Sequence, residues 1–399
     1  MKKNLKIGLF GYGVVGQGVY EILTQNKTFG AEVVKICVKD RKKRRNLPES
    51  HFTFEKNDIL LNPEIDLIIE VINHADEAFD IITTALKNGK KVVTANKKML
   101  AEHLAELVKL QQEQNVSLLY EGSSCGSIPI IRNLEEYYDN ELLYSIRGIF
   151  NSSSNYILSK VYNENVDFDI ALKKAQDLGF AETDPTLDLA GYDALFKLVI
   201  IAAHAYGVFV KPEEVLNAGI MNFSRFDMQF AKEKGYKIKL ISTVRKVGDD
   251  KVAMFVLPEF VTEDRQLYNV EYEYNAVVVE AAFSDKQFFQ GKGAGGHPTG
   301  SAIFSDISAN MYDYKYGYKK HYQENKLSYT TDLPIEIYLR YYEEHNLNQF
   351  QFEKITERYY GKDFSYVIGT IKISNLLKIK DYLNTADIQV INTGKLNDI

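Results

Sequence analysis

The sequence predicts an α/β protein: a doubly wound parallel sheet at the N-terminus, then a second mixed α/β domain, and a small α+β module at the C-terminus. Two observations carry this. Over residues 5 to about 130, short apolar runs alternate with amphipathic stretches, the pattern of buried parallel strands and their covering helices. From about 130 to 300, helical spacing gives way to strand-like segments, and residues 330–399 are tyrosine-rich with three apolar runs.

In order, Leu5–Phe10, Glu32–Val38, Ile65–Val71, Lys91–Thr94 and Val116–Tyr120 are expected as strands of the first sheet, with helices such as Ala75–Asn88 and Leu100–Asn115 between them. In the second domain, Phe168–Leu178 and Ala194–Tyr206 have helical spacing, and Val252–Leu257, Tyr268–Tyr274 and Ala276–Ala281 read as strands. A glycine-rich turn, Gly291 to Gly300, precedes a helix expected to start near Ser301. The apolar runs of the last module are Ile335–Tyr341, Tyr366–Ile373 and Asp387–Ile391. The domains are therefore expected at 1–130, with a helix in 301–320 returning to it, at 131–300, and at 330–399.

Composition narrows the function classes. At 399 residues the chain is long enough for two or three buried cores, and 45% hydrophobic with 26% charged residues is ordinary for a globular protein. A formal net charge of −6 argues against a phosphate-backbone partner, which needs clustered excess positive charge. The two cysteines, Cys37 and Cys125, offer no disulfide framework and suit a reducing compartment. The N-terminus imitates a leader, but Gly8, Gly11, Gly13, Gly16 and Gly18 interrupt it, and no small-residue cleavage pattern follows. No run reaches the roughly 20 apolar residues needed to span a bilayer. The chain reads as soluble and cytoplasmic, with neither nucleic acid nor membrane as a partner.

The first expected strand runs into Gly11-Tyr12-Gly13-Val14-Val15-Gly16, a G-x-G-x-x-G that opens a helix. The first glycine allows the tight turn, the second lets backbone approach a pyrophosphate, and the third lets helix pack on strand; the phosphates meet the helix N-terminus. Between an N-terminal strand and a helix, with a second strand following, this pattern points to a dinucleotide. Glycines in a purely structural turn are the alternative. The second strand ends at Val38-Lys39-Asp40, where an acidic residue suits the ribose of NAD and a basic one the extra phosphate of NADP. Lys39 and Arg41 tilt the balance to NADP, Asp40 pulls the other way, and Lys42 to Arg45 read as a solvated loop.

Two lysines stand out. Asn96-Lys97 follows the fourth strand, at the end where a doubly wound sheet presents ligands; a polar residue opening a helix is the bland alternative. The segment from Phe180 to Lys197 gathers Glu182, Asp184, Asp188, Asp193 and Lys197 around an apolar helix start. Asp193 and Lys197 are four apart and share a helix face. Leu198 to Ala205 are too apolar for an ordinary surface pair, so a pair facing a cleft is expected, suited to proton transfer to a carbonyl oxygen.

These stretches, together with Gly126-Ser127-Ile128-Pro129-Ile130-Ile131, Asn155-Tyr156-Ile157-Leu158 and Gly291 to Ser301, make residues 5 to 320 resemble homoserine dehydrogenases. The resemblance implies a Rossmann domain followed by a substrate-binding and dimerisation domain, a homodimer through the second sheet, and a place in threonine, methionine and isoleucine biosynthesis. It implies reduction of aspartate 4-semialdehyde to homoserine by hydride transfer, with Lys197 as proton donor and Lys97 polarising the carbonyl, exchange of the two roles being left open. Asp193 would orient the lysines, and Glu182, Asp188, Asp193 and Gly126 would hold the substrate. The dinucleotide would meet Gly11, Gly13, Val14, Val15, Gly16, Lys39, Asn73, Thr94, Lys97 and Gly293. A monovalent cation (Na or K) would take backbone oxygens at Glu121, Ser124, Gly126 and Ile128.

Two departures stand against that pattern. Asn151-Ser152-Ser153 replaces the usual Asn-Gly-Thr. Residues 330–399 lack the Asp-x-Pro-Gly start of an effector-binding ACT domain and are expected as a degenerate ACT-like module. Competing readings are an acylating dehydrogenase using Cys125, with His297 as its loop histidine, and a non-catalytic dinucleotide-binding regulator. A buried cysteine beside a tight loop is the commoner case, and binding alone needs no lysine beside carboxylates. His204, on an apolar helix, reads as a core residue, and no His or Cys cluster has metal-ligand spacing.

Overall fold

In the computed structural model, which describes residues 4–26, 29–139 and 142–395, apolar runs at the N-terminus become strands buried on both faces. These are β1 (Leu5–Phe10), β2 (Ala31–Cys37), β3 (Phe52–Thr53), β4 (Leu67–Glu70), β5 (Lys91–Thr94) and β6 (Leu118–Leu119). Ile7, Leu9, Ile36, Leu67, Ile68, Ile69, Val92 and Val93 are fully buried, so the sheet must be covered on both sides, as parallel sheets are. All its pairings are parallel, in the order β3-β2-β1-β4-β5-β6. The order reverses between β1 and β4, which opens a crevice at the carboxyl ends of these strands.

The chain divides into two units, Met1–Glu136 with Ala294–Tyr318, and Tyr137–Gly293 with Lys319–Ile399. The late return to the first unit is made by the helix Gly296–Asn310, which begins five residues before Ser301. Gly295 at φ +121 turns the chain into it, and Pro298 falls in its first turn, where a missing N–H costs nothing. This helix packs on the helix Val14–Gln25 almost backbone to backbone: a Cβ on Gly18 would lie 2.3 Å from the Gly296 oxygen.

The second unit is built on an eleven-stranded mixed sheet. Its strands are β7 (Leu143–Ile149), β8 (Leu216–Asn217), β9 (Lys237–Val247), β10 (Lys251–Val261), β11 (Tyr274–Ala281), β12 (Asp285–Lys292), β13 (Ser328–Tyr329), β14 (Pro334–Tyr341), β15 (Lys354–Tyr360), β16 (Ser365–Lys372) and β17 (Gln389–Asn392). They run β12-β11-β7-β9-β10-β17-β14-β16-β15, with β8 and β13 pairing to β10. The helix Tyr192–Tyr206 is buried from Asp193 to its end, which follows from its nearly unbroken apolar sequence.

The segment Tyr268–Tyr274 corrects the sequence reading. It alternates like a strand, yet Gln266–Asn269 is a tight helical turn and Tyr272 sits at φ 54. Buried side chains take its carbonyls in place of a neighbouring strand. Asn155 Nδ2 donates to the carbonyls of Val270, Tyr272 and Tyr274 at 3.2, 2.9 and 3.1 Å, and Lys239 Nζ donates to Val270 at 2.6 Å.

At the C-terminus, β14 to β17 and the short helices between them follow a βαββαβ course, with the last strand next to the first: β17-β14-β16-β15. Ile335, Ile337 and Leu339 of β14 share one buried core with Leu216, Phe255 and Leu257. Among the described residues no helix is long and apolar enough to cross a membrane.

Candidate active site

The three glycines of the first turn meet three different demands. Gly11 stands at φ +96, where an added Cβ would lie 2.9 Å from the Val71 oxygen. Gly16 tucks beneath Gly11, and a Cβ there would come within 2.3 Å of the Gly11 oxygen. Gly13, the residue capping the helix N-terminus, has nothing within 4 Å of its Cβ direction. Tight, open, tight is what a turn needs if the open position is to receive a pyrophosphate on the backbone N–H groups of a helix start. Val14 is 73% exposed beside it and Val15 is half-buried. At the end of β2, exposed Lys39 pairs with Glu77 at 2.9 Å. Asp40 turns its carboxylate onto the backbone N–H of Lys42, at 2.8 Å, and of Lys43.

The loops after β4 and β5 lie at the same carboxyl edge. Asn73 is exposed and Thr94 buried. Asn96 caps the helix Lys97–Gln114 by accepting from the Met99 N–H at 3.2 Å. Lys97, half-buried, is therefore the first residue of that helix.

In the second unit the expected pair is present. Lys197 Nζ donates to Asp193 Oδ2 at 2.8 Å and to the Phe150 carbonyl at 2.6 Å, and both charged side chains are about nine-tenths buried, at 7% exposure each. Asn151 Nδ2 bridges Asp188 Oδ1 at 2.7 Å and Asp193 Oδ2 at 2.9 Å, while its own oxygen caps the helix Ser152–Glu164. Asn275 donates to the same Phe150 carbonyl at 3.1 Å and accepts from Ser152 Oγ at 3.0 Å. A Cβ on Gly293 would lie 2.1 Å from Asn275 Cγ, so only glycine fits against that side chain. Glu182 is exposed, and Gln176 holds its backbone carbonyl at 3.1 Å. The result is a buried ammonium held by one carboxylate and one carbonyl, with a second carboxylate alongside. This equips the site to exchange a proton with an oxygen and to attract a cationic substrate group.

A model of the homoserine dehydrogenase family matches residues 129–308, and one of the homoserine dehydrogenase NAD-binding domain matches residues 11–121. A homoserine dehydrogenase of Bacillus subtilis (strain 168) is 32% identical, over 100% of this chain and 96% of its own. The chain belongs to the homoserine dehydrogenase family. It is an NAD(P)-dependent oxidoreductase acting on a CH–OH group. The structure of a homoserine dehydrogenase from Thiobacillus denitrificans is similar with a TM-score of 0.82 at 28% identity, covering 98% of this chain and 99% of that one. That of a hyperthermophilic archaeal homoserine dehydrogenase in complex with NADPH gives 0.67 at 27% identity, covering 78% and 99%.

The backbone accepts Ser152 and Ser153, which stand where the family resemblance implies glycine and threonine. Both lie in the first turn of a regular helix, outside the positive-φ positions. Ser153 Oγ donates to the Phe180 carbonyl at 2.5 Å, which fastens the start of the acidic segment to this helix, while Ser152 Oγ donates to Asn275.

The loop from Glu121 to Ile128 is buried at Glu121, Ser124, Gly126 and Ile128, with Gly126 at φ +59. Glu121 accepts from the N–H groups of Ile131 at 2.9 Å and Arg132 at 2.8 Å. Burial, and then Asp306 nearby, push its carboxyl up to about 8. Ser124 Oγ is buried with no hydrogen-bond partner among the described residues. Cys125 is fully buried, which suits a packing role better than a nucleophile's. His297 pairs with Glu21 at 3.0 Å, and His204 is buried. Among the described residues no group of His, Cys, Asp and Glu could hold a metal ion.

Sequence reasoning missed Asn151, Asn275 and the Phe150 carbonyl. The expected Asn-x-x pattern drew attention to the residues after Asn151 rather than to its side chain.

Proposed function

We propose how the homoserine dehydrogenase reaction, the reversible reduction of L-aspartate 4-semialdehyde to L-homoserine, is divided among these residues. The bound dinucleotide supplies the hydride. Lys197 gives a proton to the aldehyde oxygen as it becomes an alkoxide, and takes it back in the reverse direction. An ammonium has three protons; Asp193 and the Phe150 carbonyl accept two at 2.8 and 2.6 Å, and the third is directed to the substrate. Asp193 orients the lysine, and Asp188, Asp193 and Glu182 hold the substrate ammonium; the family resemblance assigns Gly126 to the substrate as well. Lys97 polarises the carbonyl. The buried Lys197–Asp193 pair, with Asn151 linking Asp193 to Asp188, is the observation that carries this reading.

The dinucleotide is held by Gly11, Gly13, Val14, Val15 and Gly16 at the pyrophosphate, with Asn73, Thr94, Lys97 and Gly293 lining the rest. NADP is favoured over NAD, because Lys39 and Arg41 are exposed at the end of β2 in surface pairs with Glu77 and Glu55, weak enough for a phosphate to displace, while Asp40 accepts from its own loop. Backbone oxygens of Glu121, Ser124, Gly126 and Ile128 would hold a sodium or potassium ion; the orphaned Ser124 hydroxyl supports a polar guest there. The working form is a homodimer through the second unit's sheet, whose face carrying Arg147, Arg245 and Glu280 borders a polar hollow of about 1070 Å³.

The test is oxidation of NADPH and NADH with aspartate 4-semialdehyde, by wild type and by Asp188→Asn. Faster turnover with NADPH is expected, and Asp188→Asn should raise KM for the semialdehyde by about tenfold, the worth of one charge-assisted contact. An unchanged KM would remove Asp188 from the subsite.

A further inference from the structure

Glu70 ends β4, a strand whose Leu67, Ile68 and Ile69 are fully buried, and its own side chain is fully buried too. Nothing in the strand pairing asks for a carboxylate here, since Glu70 is already in register with Phe10 on one side and Thr94 on the other. A carboxylate out of water is unfavourable unless hydrogen bonds meet it. These come from the two neighbouring loops. Oε1 accepts from the Ile72 N–H at 2.7 Å, and Oε2 accepts from the Thr94 hydroxyl at 2.6 Å.

The network continues from both ends. Thr94 Oγ1 accepts from the Asn96 N–H at 3.0 Å, and Asn96 Nδ2 returns to the Ile72 carbonyl at 3.0 Å. Asn96 also caps the helix that begins with Lys97. On the other side, the Val71 oxygen and the Ile72 side chain close on Gly11, within 2.9 and 3.2 Å of where its Cβ would be. Three segments at the carboxyl ends of β1, β4 and β5 are thus joined into one wall, and Glu70, together with Asn96, ties the second to the third.

We propose that Glu70 is a positioning residue for the dinucleotide: it clasps the loops after β4 and β5 into the wall against which the cofactor lies, and it sets the start of the helix bearing Lys97. This rests on the dinucleotide reading of the crevice and goes beyond it by assigning a residue that touches neither phosphate nor substrate. Glutamine in its place keeps an acceptor for Ile72 and can donate to Thr94 Oγ1, whereas alanine removes both links.

The test uses the full chain and reads NADPH binding by fluorescence titration alongside steady-state kinetics. Glu70→Ala should weaken NADPH binding by about tenfold, the worth of about one lost hydrogen bond, and leave KM for aspartate 4-semialdehyde within about twofold. Glu70→Gln should recover NADPH affinity to within about threefold of wild type. A residue that only held the fold together would lower the folded fraction and apparent kcat without this split. Unchanged NADPH affinity in Glu70→Ala overturns the proposal. If that variant does not fold, Glu70→Leu, which fills the buried volume but makes neither link, must show the same selective loss, and unchanged affinity there overturns it equally. A wild type that binds NADPH but does not turn over the semialdehyde would count against the catalytic assignments while leaving the binding comparison intact.

Discussion

Lys197, Asp193, Glu70 and Asp227 are ionisable groups held away from water, where each needs a partner and hydrogen bonds to persist. For Glu70 the consequence is a pH dependence. Burial pushes its carboxyl up to about 7, against hydrogen bonds from Thr94 and Ile72 that act the other way. The folded protein therefore keeps this proton over a range where the unfolded chain has lost it. The group's contribution to stability is present below its ordinary value near 4.5 and is lost as pH rises towards about 7. Glu70→Gln cannot ionise, so the wild type's melting temperature should fall relative to the variant's between pH 5 and 7; a constant difference would contradict a buried, raised carboxyl. Asp193 and Lys197 were legible in the sequence because i and i+4 spacing on an apolar helix is a local signal. Asn151 was not: it lies 37 and 42 positions from the two aspartates it bridges, and no local pattern marks such a contact.

Among the elements, the glycine turn gives the sharpest contrast. A methyl group at Gly13 meets nothing in the protein, whereas one at Gly16 meets the Gly11 oxygen at 2.3 Å. Gly13→Ala should therefore keep the wild-type melting temperature yet lose NADPH affinity, because the methyl group enters the space of the pyrophosphate. Gly16→Ala should lose both stability and affinity, since backbone must move to admit it. Calorimetry beside a binding titration separates the two, and a Gly13→Ala protein with full affinity would contradict the placement of the phosphates. This element was legible because strand, turn and helix N-terminus adjoin in sequence. Tyr268–Tyr274 was misread because alternation marks a strand only when a neighbouring strand takes the carbonyls, and here Asn155 and Lys239 take them. The strands β7 and β9 escaped notice because Arg147 and Lys239 interrupt their apolar pattern; the fold accommodates both through ion pairs with Glu259 and Glu271.

For the molecule as a whole, the C-terminal βαββαβ segment belongs to the sheet and core of the second unit. Its firmest tie is Arg340 on β14, whose Nε donates to both oxygens of Asp227 at 3.0 and 3.1 Å, with neither side chain exposed. Removing one partner of such a pair leaves a buried charge, so Arg340→Ala should cost about 3–5 kcal/mol in denaturant unfolding, and pairing it with Asp227→Ala should recover much of that loss. A cost below about 1 kcal/mol would mean that water reaches the site. The fold class was legible from the alternation of apolar runs, but the joining of the last strands to β10 was not, because it depends on pairing between residues as far apart as Glu259 and Asn392. In the proposed reaction Lys197 moves the proton. The most direct measurement is kcat for NADPH oxidation with aspartate 4-semialdehyde in Lys197→Ala, set beside its NADPH affinity. A fall of about 10²- to 10⁴-fold in kcat with affinity unchanged is the predicted result, the scale of a lost general acid; near-normal turnover would contradict it.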